Sequence, residues 1–241
     1  MLKPPPQLFD EAAGERQIRS PNPLTEARAL LRVAMIDLFP GRIALVSSFG
    51  AESAVLLDLV AQIDKATPVI FIDTGQHFPE TIAYRDALCA RLGLINLVVC
   101  GPDSEMLAGE DPQKLLFSTD PDRCCEIRKA QPLAKALDRF DAWITGRKRF
   151  QNARRGNLPL MEAEAARIKV NPLARWTAAD VFDYVRAAGL KPHPLVSDGF
   201  LSIGCACCTS AVRSGEALRA GRWRGHGKTE CGIHLSRGDR T

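Results

Sequence analysis

The 241-residue chain predicts an α/β fold: an open, mostly parallel sheet flanked by helices, with a loop-rich C-terminal segment. Three observations carry that expectation. Short apolar runs alternate with helical periods of roughly ten or more residues, the pattern of βαβ units. Turns of small and polar residues follow the runs, as at the carboxyl ends of strands where ligands bind. From about Gly189 onward glycine, proline, cysteine and arginine dominate, which suits loops folded over a sheet.

Residues 1–22, rich in proline and mixed charge, read as an N-terminal arm. Residues 23–241 then form a single domain, with 210–241 as a mobile C-terminal segment. Thr25–Phe39 sets Leu30, Leu31, Ala34, Met35 and Leu38 at a helical period and stops at Pro40-Gly41. Ile43–Val46 reads as a short buried strand, and Ser47–Ser53 as a turn feeding a helix from Ala54 to about Ile63. Val69–Ile72 is a second strand ending at Asp73-Thr74-Gly75, and Pro79-Glu80 opens a helix to Leu92. Leu94–Val99 is a third strand, Cys125–Leu137 a helix and Ala142–Thr145 a further strand. Thr177–Ala188 is helical, with Thr177 as N-cap and Gly189 beyond its end.

An apolar share of 46% supports a buried core, and no apolar run approaches the ~18 residues of a membrane helix. The start, Met1-Leu2-Lys3-Pro4-Pro5-Pro6, lacks the apolar stretch of a signal peptide. The expected compartment is therefore the cytoplasm, where the eight cysteines act as ligands or catalysts more readily than as structural bridges. A net charge of +4 fits an anionic small substrate and decides nothing alone.

Chemistry concentrates in a few stretches. Cys124-Cys125, followed by Arg128-Lys129, pairs naturally with Cys205 and Cys208, which have C-x-x-C spacing. Together they make a four-cysteine metal site closing a long loop, and spacing alone does not separate zinc from an iron–sulfur cluster. Ser47-Ser48-Phe49-Gly50-Ala51-Glu52-Ser53 lies where a strand meets a helix N-terminus and offers backbone N–H groups to an anion. It lacks the lysine of a nucleotide-binding P-loop, and by itself it is equally a plain βα turn. Asp73-Thr74-Gly75 should face the same crevice. Thr145-Gly146 opens a basic loop with five cations in eleven residues, among them Lys148 and Arg149. Arg219 and Arg222 form a second cluster; cations in both would grip a ligand with more than one negative group.

Cys231, flanked by Gly232, has a sterically open sulfur. Lys228, His234 and the arginines should lower its pKa, while Glu230 opposes them. Cys89 and Cys100 read as core thiols, Cys207 as a bystander, and His77 and His193 as surface or satisfied histidines.

From Gly41 to His234 these residues resemble the assimilatory adenylyl-sulfate (APS) and phosphoadenylyl-sulfate (PAPS) reductases. The likeness rests on Ser47–Ser53, Phe71–Thr81, Cys124–Lys129, Trp143–Gly146, Asn171–Leu173, Ser202–Cys205 and above all Lys228-Thr229-Glu230-Cys231-Gly232-Ile233-His234. The paired cysteines resemble the members that carry an iron–sulfur cluster. The resemblance implies an adenine nucleotide alpha-hydrolase or PP-loop-like fold and a [4Fe–4S] cluster on Cys124, Cys125, Cys205 and Cys208. It further implies APS as substrate, with reduction to sulfite and AMP in sulfate assimilation for cysteine biosynthesis. Cys231 would attack the substrate sulfur, and thioredoxin or a glutaredoxin-like dithiol would release sulfite from the resulting thiosulfonate. Substrate contacts would come from Ser47, Ser48, Gly50, Glu52, Asp73, Thr74, Gly75, Lys129, Thr145, Gly146, Lys148, Arg149, Arg219, Arg222 and His234. A homo-oligomer is expected, with neither nucleic acid nor membrane as partner. The chain departs from the family pattern at Cys207, where proline is common, at Lys148, an arginine, and at Asn152, a serine.

Three rival readings compete with this one. A PAPS or dual-substrate reductase would need a cation for the extra 3′-phosphate, which the basic loop 147–155 could supply. An ATP-using adenylating or thiolating enzyme would release pyrophosphate. A zinc-stabilised nucleic-acid-binding module fits poorly with the mild charge and the lack of interleaved aromatics.

Overall fold

The computed structural model describes residues 20–234. Six strands form one sheet in the order β3-β2-β1-β4-β6-β5. The strands are β1 (Ile43–Val46), β2 (Val69–Ile72), β3 (Leu97–Cys100), β4 (Ala142–Ile144), β5 (Met161–Glu164) and β6 (Arg167–Val170). All neighbours are parallel except β5 and β6.

Alternation along the strands divides the core into two layers. Ile43, Leu45, Val69, Phe71, Ala142 and Ile144 face one side. There they meet α1 (Pro23–Arg32), α2 (Ser53–Ala61), α3 (Pro79–Leu92) and α8 (Ala178–Ala187). Ala44, Ile70, Ile72 and Trp143 face the other and pack on Leu133 of α7 (Gln131–Ala136) and on Leu137. Between α3 and α7 run α4 (Ser104–Glu110), α5 (Leu116–Thr119) and α6 (Pro121–Cys125). Because β2 lies on one side of β1 and β4 on the other, the chain order reverses at β1, and a crevice opens at the carboxyl ends of β1 and β4.

Several element boundaries differ from the sequence expectation, each for a local reason. The first helix begins at Pro23 because Asn22 caps it through the Thr25 N–H, and it widens into a π-helix over Val33–Leu38. The third strand starts at Leu97, not Leu94, because the Leu94 N–H closes α3 onto Cys89 O at 3.0 Å. The helix expected over 125–137 begins earlier, at Pro121, with Asp120 as its cap. Cys124 and Cys125 therefore end the short helix α6, just before a π-helical stretch at Glu126–Ala130, rather than opening a helix. The β5–β6 hairpin and the helices α4 and α5 lie outside the expected set. The hairpin turn carries Ala165 at φ 53° in place of the usual Gly or Asn, so the local residues carry no turn signal. The arm expected at 1–22 lies almost wholly outside the described residues, as does the chain after His234. From Gly189 the described residues form 3-10 turns and isolated β-bridges, Cys205 with His77 and Thr209 with Arg222, in an otherwise loop-rich region, as expected.

Candidate active site

A cavity of about 300 Å³ opens in the crevice between β1 and β4. The turn after β1 forms one wall through Ser47, Ser48, Gly50 and Glu52, and the N-terminus of α2 begins at Ser53. Phe49 takes a left-handed φ of 49° with its ring fully buried, edge-on to Phe71. A bulky residue held there is backbone strain that the surrounding packing must enforce. A Cβ on Gly50 would sit 2.9 Å from Ile203 O, so only glycine lets the Leu201–Gly204 segment close against this turn. Thr145, Gly146 and Lys148 continue the wall from the end of β4, and Arg219, Arg222, Cys231 and His234 form the roof.

The cations here divide into spent and unspent. Lys148, almost fully buried, donates to Glu52 Oε2 at 2.9 Å and to Gly146 O at 3.0 Å. Arg147 is paired with Glu162 and donates to Asn171 Oδ1 at 3.0 Å. Arg155 makes a two-pronged bond to Glu230, both prongs at 2.7 Å. Arg149 does not line the cavity; its guanidinium caps Leu158 O at 2.9 and 2.8 Å. Lys129 and Arg222 line the cavity and, among the described residues, have no carboxylate partner. Burial alone would push the Lys129 ammonium toward its neutral form, but the thiolate sites at Cys205, Cys231 and Cys125 outweigh it and raise its pKa. Arg222 lies 4.4 Å over the Trp223 ring, with its Nε buried and unpartnered. Burial, then Arg155 and Arg222, bring Arg219 down to about 10, which leaves it charged at neutral pH.

The Cys231 segment is held at three points. Lys228 is paired with Asp122 and donates to Pro121 O at 3.2 Å, at the start of α6. Glu230 is taken up by Arg155. His234 stacks on Trp143 with ring centroids 6.1 Å apart and planes 3° from parallel. The Cys231 thiol is lowered to about 5, first by a hydrogen bond with Cys125. Burial opposes that, and Lys129, the Ile233 N–H and Arg222 add to the lowering. Two neighbours behave differently from expectation. His234 is no cation, because burial and then Arg155, Arg147, Lys169 and Arg219 push its pKa well down and keep it neutral. Glu230 does not oppose the thiolate, because its own charge is matched by Arg155.

The cysteines expected as ligands lie behind Lys129. Cys205 Sγ is 3.3 Å from Thr74 Oγ1, and the turn it opens docks on the Thr74–His77 stretch through Ala206 N to Gln76 O at 2.7 Å. Its thiol is lowered, first by a hydrogen bond from Cys207. Cys208 is lowered to about 7 by the same Cys207 thiol, and burial raises Cys124 to about 11. Cys124 also feels the charges of Cys205 and Cys208, so the two pairs share one neighbourhood. Among the described residues no three His, Cys, Asp or Glu side chains are gathered as a metal-ion site. The donor chemistry, four thiols beside a buried ammonium with no carboxylate required, fits an all-cysteine centre. Cys207 bonds Gln76 Oε1 at 3.3 Å and lies 3.7 Å from Cys208 Sγ, closer to the site than a bystander.

Of the other residues singled out, Thr74 lines the cavity while Asp73 and Gly75 do not. They border a second cavity with Asp111 and Arg128, on the far side of the Thr74 turn. His193 is a satisfied core histidine bonded to Thr81, and Cys89 and Cys100 are burial-raised thiols. His77, expected as an isolated histidine, lines the cavity and bonds Ile72 O at 2.9 Å. In the sequence expectation Gln151 and Arg155 belong only to the basic loop 147–155, and Ser202–Gly204 only to the family likeness; the inward pairing of Arg155 and the wall at Leu201–Gly204 come from the fold. Along the chain Arg155 is only one charge in a basic run, and nothing local marks which of those charges folds inward.

Residues 42–211 match the protein-family model described as the phosphoadenosine phosphosulfate reductase domain. An adenosine 5'-phosphosulfate reductase of Chelativorans sp. (strain BNC1) is 58% identical, over 81% of this chain and 80% of its own length. A crystal structure of phosphoadenylyl-sulfate (PAPS) reductase from Candida auris, in a phosphate complex, superposes with a TM-score of 0.70 at 26% identity. The match covers 86% of this chain and 100% of that one. Yeast FAD synthetase in complex with FAD, at 16% identity and a TM-score of 0.53 over 86% of this chain and 70% of its own, shares the fold alone.

Proposed function

The chain belongs to the phosphoadenosine phosphosulfate reductase domain family, and from that premise we propose that it reduces adenylyl sulfate to sulfite and AMP in sulfate assimilation. The observation that carries this reading is the meeting of Cys231, Lys129 and Arg222 in one cavity with the Ser47–Ser53 turn. A thiolate must approach an anionic sulfate, and unpaired cations beside it offset the repulsion.

In the first step the Cys231 sulfur attacks the substrate sulfur, the S–O bond to the nucleotide breaks, and AMP leaves with the electron pair. The enzyme then carries a thiosulfonate. In the second step a dithiol such as thioredoxin attacks the Cys231 sulfur. Sulfite departs with the S–S electron pair, and the second thiol of the reductant resolves the mixed disulfide. AMP is a good leaving group, so no general acid is required. Ser47, Ser48, Gly50 and the start of α2 cradle the phosphosulfate, with Thr145 and Gly146 near the nucleoside.

Cys124, Cys125, Cys205 and Cys208 would hold a [4Fe–4S] cluster. When bound, it supplies an electrostatic and structural centre behind Lys129, with every corner taken by cysteine. With Cys125 committed as a ligand, Lys129, the Ile233 N–H and Arg222 are left to stabilise the Cys231 thiolate. The eight unbridged cysteines suit a reducing compartment such as the cytoplasm, and no described helix is long and apolar enough to cross a membrane.

The substrate choice follows from where the cations go. Arg147, Lys148, Arg149 and Arg155 all have internal partners. A 3′-phosphate would find none of these four unspent, since Lys148 is already held by Glu52 and Arg155 by Glu230.

Incubating protein with adenylyl sulfate and no thiol should add one SO₃ to the wild type and nothing to Cys231→Ser, as read by intact mass. No gain on the wild type, or an equal gain on the variant, defeats the reading. Iron and acid-labile sulfide analysis tests the cluster; zinc without sulfide would replace it.

A further inference from the structure

Glu230 sits beside the reactive sulfur yet is spent on a neighbour, which gives it a purpose of its own. Its side chain is 6% exposed. Arg155 Nε and Nη2 each donate to its carboxylate at 2.7 Å, Asn152 Nδ2 at 3.1 Å, and the Cys231 N–H at 3.0 Å. That last bond ties the Cys231 backbone to the side chain before it. The chain of contacts continues away from Cys231. Arg155 Nη1 donates to Gln151 Oε1, and Gln151 Nε2 donates to Glu52 Oε2 at 2.6 Å. Glu52 lines the nucleotide cavity at the N-terminus of α2, where Lys148 also holds it.

We propose that Glu230 is a positioning residue, and that the connected series Glu52–Gln151–Arg155–Glu230 links occupancy of the nucleotide cavity to the placement of the Cys231 sulfur. The proposal rests on the functional reading above. It adds that the nucleotide does more than bring the sulfate near: contacts to the Glu52 end tighten the segment that carries the sulfur. The two carboxylates stand on segments remote from the basic loop that joins them, so the link is made only in the folded tertiary structure. Arg155 and Glu230 are buried and Gln151 and Glu52 partly so, which limits how far water can substitute at the Cys231 end. Cys231 itself lies between the Lys228 and His234 anchors, and Glu230 is the anchor adjacent to the sulfur.

Two variants test the link at different points: Glu230→Gln, nearly isosteric but uncharged, and Gln151→Ala, remote from the sulfur. The first readout is the rate of the SO₃ mass gain on Cys231 from adenylyl sulfate without thiol. Misplacement of a reacting group by about 1 Å costs on the order of 10²-fold, and both variants should fall toward that figure with KM within about threefold of wild type. The second is alkylation of Cys231 by iodoacetamide with and without saturating AMP. AMP should change the wild-type rate by roughly fivefold or more, and by less than about twofold in either variant, with AMP still bound. Wild-type rates of mass gain in both variants overturn the proposal, as does an AMP response equal to wild type in either, or none in the wild type. If Glu230→Gln does not fold, Gln151→Ala decides alone. If the wild type gains no SO₃ from adenylyl sulfate, the reaction assigned above fails, while the AMP-linked alkylation still judges the link.

Discussion

Lys148 Nζ lies 2.9 Å from Glu52 Oε2, so the lysine of the basic loop neutralises a carboxylate of the turn after β1 instead of facing an open anion site. The residue is 1% exposed and sits at the start of the loop expected to supply spare positive charge. That one pairing changes what the cavity can accept.

Glu52→Gln should therefore alter substrate choice. Removing the carboxylate's charge leaves Lys148 without its counter-charge beside the cavity, free to attract an added phosphate. The ratio of kcat/KM for adenylyl sulfate over phosphoadenylyl sulfate should narrow by about tenfold, equivalent to ~1.4 kcal/mol. An unchanged ratio would separate Glu52 from substrate choice.

Gly204 lies against the Arg222 guanidinium, and a Cβ there would be 2.3 Å from Nη2. The far end of a flexible side chain gives way more easily than backbone, so Gly204→Ala should displace Arg222 rather than unfold the chain. With Arg222 taken as a substrate contact under the proposed function, its displacement should raise KM about tenfold, with the urea unfolding midpoint little moved. A large loss of stability with normal KM would point to a packing role instead.

Asp111 and Arg128 form a buried pair at 2.6 Å, with side chains 2% and 3% exposed, and Arg128 also holds Thr74 O at 2.8 Å. Asp111→Ala leaves the guanidinium without its counter-charge and should cost about 3 kcal/mol in urea unfolding. Because Thr74 contacts Cys205, one of the cysteines proposed to hold a cluster, any iron bound by the wild type should fall in the variant. Unchanged stability would mean that solvent reaches the pair.

His193 gives a pH signature. Burial lowers its pKa from 6.5 to about 4, so the folded protein resists a proton that the unfolded chain accepts. Its contribution is fully present above pH 6.5 and is lost as pH falls through 4. Each pH unit between those two values is worth ~1.4 kcal/mol, so the whole approaches about 3 kcal/mol. The groups that face it are Thr81, Tyr84 and Glu80. The stability difference between wild type and His193→Asn, measured across that range, should shrink by that amount on acidification. A pH-independent difference would remove His193 from the acid response.

Most of the sheet was legible because local signals agreed with the tertiary outcome. Ile43–Val46, Val69–Ile72 and the helix from Pro79 carry apolar runs, caps or proline where strand and helix need them; Thr177 even forms the reciprocal cap with Asp180. The β5–β6 hairpin escaped because its strands are half charged. Their partners, Arg147 for Glu162 across space and Lys169 for Glu164 across the hairpin, appear only once the chain is folded.

By itself the sequence determined the fold class, the family and the cysteine inventory, since these depend on residue types and spacing along the chain. Only the tertiary structure decided which cations are spent, that His234 is neutral, and that Glu230 serves Arg155 and the Cys231 backbone. Charge in a protein interior is settled by the nearest partner and by exclusion from water. Both are properties of folded neighbours, which stand 75 and 96 positions apart in Arg155–Glu230 and Glu52–Lys148.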